Sequence, residues 1–241
     1  MSSGYGNQAL YKAIAVIDAI ADGQSQLQQI SDQLGYPKST VHRIVHGLIE
    51  ARYVRDVKGI GLVLGTKMIQ LGNKAQQNMP LKDIARPYLQ QLAEETRDTV
   101  HLGIKDEDDV FYLDKIPGYR PIEFRSRVGD NLPLASTGIG KALMIDMPKT
   151  EWRRLIAKQD HLDAPAILAR MDVYSSKDYS FDLEDNEEQV RCVAVPIRNK
   201  YGNIIAAISV TSIHAFMSDE RMVELIEVIR AYSQRISEQL N

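Results

Sequence analysis

The chain has 241 residues, 44% hydrophobic and 25% charged, enough apolar material for a real core and too much for wholesale disorder. Its single cysteine excludes an internal disulfide framework and a cysteine-cluster zinc site. No apolar run approaches the ~18 residues of a membrane helix, and the start of the chain lacks the basic and apolar segments of a secretory signal. The expectation is a soluble cytoplasmic protein.

Charge is unevenly spread. Residues 1–78 hold eight Lys/Arg and five Asp/Glu, net +3, while the remainder holds 21 and 27, net −6. A basic head on an acidic body suits two domains that face different partners, although chance clustering gives the same count.

In the head, apolar spacing predicts a helix over 9–21, stopped by Asp22-Gly23, and a short one over 25–34 with Ser25 at the N-cap position. Gly35-Tyr36-Pro37 breaks the chain before a third helix over 38–51. That helix is expected to bury Val41, Ile44, Val45, Leu48 and Ile49 and to show Lys38, Ser39, Thr40, His42, Arg43 and His46. Two short helices about a Gly-containing turn read as a helix-turn-helix. Hydroxyls and free amides at the second helix's N-terminus suit phosphate oxygens, and His42 and Arg43, one turn in, are placed for base edges in a major groove. A solvated amphipathic helix has the same pattern. The next segment favours DNA: residues 52–65 predict two short strands about a basic turn, a wing carrying Arg55 and Lys58 towards a phosphate backbone or minor groove. A linker helix is expected from 66 to about 78. The expected organisation is a winged helix-turn-helix over 1–65, a linker helix over 66–79 and a separate acidic domain over 80–241.

In the body, a strong apolar stripe predicts a helix over 81–96. Strands are expected over 100–104 and 110–113, joined by the acidic turn 106–109, and over 122–128. Short helices are expected over 138–147 and around Trp152, Leu155 and Ile156, then an irregular stretch over 160–180. Strands over 190–197 and 204–211 should form an antiparallel hairpin, and a helix over 218–239 should close the chain. The fold class is α+β, with a mixed sheet as the other option.

Two constellations could carry chemistry. The segment Leu132-Pro133-Leu134-Ala135-Ser136-Thr137-Gly138-Ile139-Gly140-Lys141 places Ser, Thr and Gly before a helix whose Gly138 and Ile139 amides attract an anion. Ala142 follows Lys141, so this is not a nucleotide phosphate loop; a capped helix with Gly for packing is the plain alternative. The second constellation is Asp182, Glu184, Cys192, Ser209 and Thr211, polar groups on neighbouring strands, which a sheet core of small residues would also contain. Cys192 as a nucleophile would need a positioned base, for which His101 and His214 are the candidates, without a local signature. His42 and His46 stand four apart but lack the Glu of a metalloprotease helix. Neither a metal site nor a cofactor is expected.

Taken in order, several stretches resemble the IclR family of bacterial transcriptional regulators. They are Pro37-Lys38-Ser39-Thr40-Val41-His42-Arg43, Val100-His101-Leu102-Gly103, Tyr112-Leu113-Asp114-Lys115-Ile116, Arg127-Val128-Gly129, Leu132-Pro133-Leu134, Thr137-Gly138-Ile139-Gly140-Lys141-Ala142-Leu143, Arg191-Cys192-Val193-Ala194-Val195-Pro196 and Ala206-Ala207-Ile208-Ser209. The resemblance spans about 8–240. It implies an N-terminal winged helix, a linker helix and a GAF/PAS-like effector domain. It also implies a small organic acid as effector, and dimers pairing into tetramers on double-stranded operator DNA. Matched residue by residue, it points to Leu132, Gly138, Ile139, Asp182, Val190, Cys192, Ser209 and Thr211 as the effector site, with Asp185-Asn186-Glu187-Glu188 as a rival alignment for Asp182. The resulting expectation is a ligand-responsive regulator of a catabolic operon, not an enzyme, whose effector is a hydroxy or sugar acid. The alternatives are a ligand-independent architectural DNA binder and an enzyme using Cys192.

Overall fold

Apolar residues spaced three and four apart in the head fold into α1 (Gln8–Ala21), α2 (Leu27–Leu34) and α3 (Lys38–Glu50), followed by the hairpin β1 (Val54–Val57) and β2 (Gly61–Leu64) and by α4 (Thr66–Gln77). These elements come from a computed structural model describing residues 7–77 and 80–240. The chain divides into two units, at Met79 and Pro80. The last positions assigned to the linker helix, 78 and 79, lie outside the described residues.

The first unit closes around Val16, Ala19 and Ile20 of α1, Ile30 of α2, Val41 and Val45 of α3, and Val54 and Leu62 of the hairpin. Gly35 takes a left-handed φ of 65° at the C-terminus of α2, so the chain turns within three residues into α3. Two local expectations fail. Ser25 is not the N-cap of α2. Gln26 holds that position, and the Gln29 side chain accepts the amides of Ser25 and Gln26 at 3.2 and 3.0 Å. Ile49 is 38% exposed and lies outside the core, which takes Val41 and Val45 of α3 fully and Ile44 and Leu48 in part.

The second unit runs α5 (Leu81–Thr96), β3 (Thr99–Asp106), β4 (Asp109–Ile116), β5 (Asn131–Pro133), α6 (Gly138–Met144), α7 (Lys149–Ile156), α8 (Ala164–Lys177), β6 (Ser180–Leu183), β7 (Val190–Arg198), β8 (Ile204–Ile213) and α9 (Asp219–Gln239). Its six strands pair in the order β5-β4-β3-β8-β7-β6, antiparallel throughout, so the domain is α+β and the mixed-sheet option falls away. Two expectations are corrected. Residues 122–128 form no strand; the segment between β4 and β5 is irregular. The stretch expected to be irregular over 160–180 contains α8, whose N-cap Asp163 accepts the Ala166 amide at 3.2 Å.

Strand alternation gives the sheet two unlike faces. Val100, Leu102, Val193, Val195, Ile208 and Val210 point to α5 and α9 and build a dense core with Leu89, Leu92, Met222, Leu225 and Ile229. The opposite face carries His101, Cys192, Ala194, Ala207, Ser209 and Thr211 towards α6, α7 and α8. Side chains this small, facing a helix that begins with glycine, leave space between sheet and helix.

Candidate functional site

That space is a cavity of about 210 Å³ in the second unit. All eight residues matched to the effector site line it: Leu132 from β5, Gly138 and Ile139 from α6, Asp182 from β6, Val190 and Cys192 from β7, and Ser209 and Thr211 from β8. Register explains the convergence, because Asp182 pairs with Cys192, and Cys192 with Thr211. Asp185 of the rival alignment does not line the cavity; it is bound away from it by Lys141 and Arg170, each at 2.6 Å.

The helix that meets this wall is locally determined. Thr137 caps α6, its Oγ1 accepting the Gly140 amide at 3.0 Å, while its carbonyl accepts the Lys141 amide. The Gly138 and Ile139 amides stand at the first turn, where the helix provides no acceptor. A Cβ on Gly138 would lie 2.5 Å from Cys192 Sγ, so only glycine lets the helix start approach the strand this closely.

The cavity's electrostatics are set by burial. His101 is 3% exposed and its pKa is lowered to about 3 by desolvation and by the Lys115 cation, so the imidazole is neutral. Its Nε2 lies 2.9 Å from Ser126 Oγ and its Nδ1 3.4 Å from Thr211 Oγ1, and its ring stacks on Tyr112 at 5.0 Å. Burial, reinforced by Asp182, pushes the Cys192 thiol up to about 12. Burial also lifts Asp182 to about 6, against the pull of Lys141, whose ammonium is 3.9 Å away.

Several lining residues escaped the sequence reading of the site. Phe124, Arg125 and Ser126 come from the irregular segment after β4, where Lys115 Nζ donates to the Phe124 and Ser126 carbonyls at 2.8 and 2.6 Å and draws the segment over the cavity. A misplaced strand hid them. Asn186 and Glu187 come from the turn after β6, inside the stretch quoted only as a rival alignment. His101 and Tyr112 were visible in the quoted motifs without a role. Lys141, fully buried, donates to Asp185 and to the Ser136 and Phe181 carbonyls, a structural anchor and not a phosphate ligand.

In the first unit, Lys38, Ser39, His42 and Arg43 are exposed on α3 and Thr40 is half-buried; Arg55 and Lys58 are exposed on the hairpin. Among the described residues of this unit the ion pair is His46–Glu50 at 3.5 Å, and Lys38, Arg43, Arg55 and Lys58 have no acidic partner there. His42 and His46 belong to no cluster able to hold a metal among the described residues.

Comparison with known proteins decides the family. The profile "Bacterial transcriptional regulator IclR C-terminal" matches residues 73–238, and "IclR helix-turn-helix domain" matches residues 9–58. The chain belongs to the IclR family. It is therefore a DNA-binding transcriptional regulator and not an enzyme. Among curated IclR-type relatives, the HTH-type transcriptional regulator KdgR of Escherichia coli is 28% identical, the alignment covering 96% of this chain and 92% of that protein. The IclR crystal structure from Thermotoga maritima superposes with a TM-score of 0.78 at 27% identity, covering 96% of this chain and 98% of that one. An IclR homolog from Microbacterium hydrocarbonoxydans, solved in complex with 4-hydroxybenzoate, shares the fold with a TM-score of 0.82 at 20% identity, over 96% and 98% of the two chains. Among the described residues no helix is long and apolar enough to cross a membrane.

Proposed function

We propose that the protein regulates a catabolic operon in response to a small hydroxy or sugar acid bound in the cavity between α6 and the sheet. The observation that carries this is the convergence of Leu132, Gly138, Ile139, Asp182, Val190, Cys192, Ser209 and Thr211 on one cavity of about 210 Å³. That volume is below the ~300–1,000 Å³ of drug-sized sites and suits a small acid. The Gly138 and Ile139 amides take the carboxylate, Ser209 and Thr211 take hydroxyls, and Asp182 lines the same wall. The 4-hydroxybenzoate complex of the Microbacterium homolog supports an acid effector.

On the DNA side, Ser39, Thr40 and Lys38 hold phosphates, His42 and Arg43 read base edges, and Arg55 and Lys58 track the backbone from the wing. Two copies present two recognition helices to a two-fold operator, and dimers pair into tetramers. Ile69 and Leu71 of α4, 64% and 41% exposed, are the apolar residues through which copies pack and by which effector binding reaches the DNA-binding unit.

Thermal unfolding of the full chain with D-gluconate, glycolate, 4-hydroxybenzoate and succinate tests the effector class, since a ligand of the native state raises Tm. A hydroxy or sugar acid is expected to raise it, and Gly138→Ala to abolish the shift. A strong preference for succinate contradicts the assignment, and indifference to every acid favours an architectural DNA binder.

A further inference from the structure

Charge around Asp182 constrains how any acid enters this cavity. Asp182 is 4% exposed, and an ideal Cβ on Gly138 would lie 3.5 Å from Asp182 Cβ. The Asp182 carboxylate accepts the Asp185 amide at 2.8 Å and lines the same cavity of about 210 Å³ as the Gly138 and Ile139 amides, so an acid held at the start of α6 shares a small buried space with a second carboxyl group.

No cation is free to offset it on the inner wall. Lys141, from α6, is fully buried and stands 3.9 Å from Asp182, but its hydrogen bonds go to Asp185 at 2.6 Å and to the Ser136 and Phe181 carbonyls. Arg170, from α8, holds the other oxygen of Asp185 at 2.6 Å. Asp182, Asp185, Lys141 and Arg170 already sum to zero charge. The remaining groups facing Asp182 do not help. Cys192 on β7 and Tyr112 on β4 have raised pKa values and stay protonated, and His101 on β3 is neutral. Glu187 and Asp130 place further carboxyl groups on the lining, and Arg125, also on the lining, is solvent-exposed on the segment after β4.

We propose that the cavity takes its acid together with one proton, shared between the acid's carboxylate and Asp182. This rests on the reading that the effector is an acid held against the Gly138 and Ile139 amides. Two carboxyl groups side by side in a desolvated site do not both stay ionised; one keeps its proton. Burial has already brought Asp182 to about 6, so that proton is close at hand near neutral pH. The Tyr112 hydroxyl independently marks the place for a ligand: the residue is 7% exposed, lines the cavity and finds no hydrogen-bond partner among the described residues. The consequence is regulatory, because the same acid concentration occupies the site more fully as pH falls towards 6 and the response fades in alkali.

Calorimetric titration of the full chain with acetate, glycolate and D-gluconate, at pH 7.5 in phosphate and in Tris, counts the protons taken up. Uptake approaching one proton per acid is expected, with Kd weakening towards tenfold per pH unit between pH 7 and 8. Asp182→Asn supplies a neutral amide in the same shape. It is expected to bind without proton uptake, with a flat pH profile, and at least as tightly as the wild type at pH 8, a gain that damage to the fold cannot produce. Binding by the wild type with no proton uptake overturns the proposal and leaves the acid-effector reading intact. Failure of all three acids to bind either protein overturns both. Should D182N fail to fold, the wild-type proton count alone decides.

Discussion

Cys192 and His101 sit on one wall and are silenced by the same cause, burial. With its thiol pushed up to about 12, Cys192 holds almost no thiolate at neutral pH, which removes the nucleophile an enzymatic role would need. Iodoacetamide at pH 8 is expected to modify it at least about 100-fold more slowly than a free cysteine; a rate equal to that of a free thiol would contradict the buried, protonated state. His101, with a folded pKa of about 3, binds fewer protons folded than unfolded between that value and 6.5. Its contribution to stability is whole above pH 6.5 and declines as pH falls towards 3. Asp182, raised to about 6, acts in the opposite sense over the acid range. His101→Gln is therefore expected to narrow the gap in Tm between pH 7.5 and pH 5, while Asp182→Asn widens it. Thermal melts at the two pH values check both signs. At the DNA surface, Arg43→Ala is expected to cost about 1–3 kcal/mol of operator affinity and relax specificity at one position. Lys58→Ala should weaken binding to all sequences and lower the salt slope by about one. Gel shifts at several salt concentrations separate the two.

At the scale of elements, α6 positions the site and is short, so its cap matters. Removing the Thr137 hydroxyl by Thr137→Ala leaves the Gly140 amide without its acceptor and is expected to cost about 1 kcal/mol in urea unfolding. The elements whose apolar spacing was regular, α1, α3, α5, α9 and the hairpin of β7 and β8, were legible in the sequence, because one buried face imposes one period. Two others were not. The 122–128 stretch alternates in the manner of a strand, yet Lys115 holds the Phe124 and Ser126 carbonyls and no strand pairs with it. In α8 the buried residues Ile167, Met171 and Tyr174 lie among Asp, Arg and Ser, and the helical period there is weak. The cavity wall was legible only as a set of matched residues. That Asp182 faces the cavity and Asp185 does not depends on Lys141 and Arg170, which no local pattern brings to that turn.

For the whole molecule, the net charge is +3 over residues 1–78 and −6 over the rest. The first unit exposes Lys38, Arg43, Arg55 and Lys58, and the second encloses a small cavity lined by Asp182, Asp130, Glu187 and Arg125. A regulator needs these two sites coupled: the acid must bind more tightly to one arrangement of the DNA-binding units than to another. A coupling of ordinary allosteric size, about 1–3 kcal/mol, then changes operator affinity about 5–150-fold. The direct test is a gel shift of the full chain on the DNA upstream of its own gene, at two salt concentrations, with and without the acid that most raises Tm. Retention that weakens steeply with salt and shifts at least about fivefold on adding the acid is expected. No retention in either state, or an affinity indifferent to an acid that demonstrably binds, would contradict it.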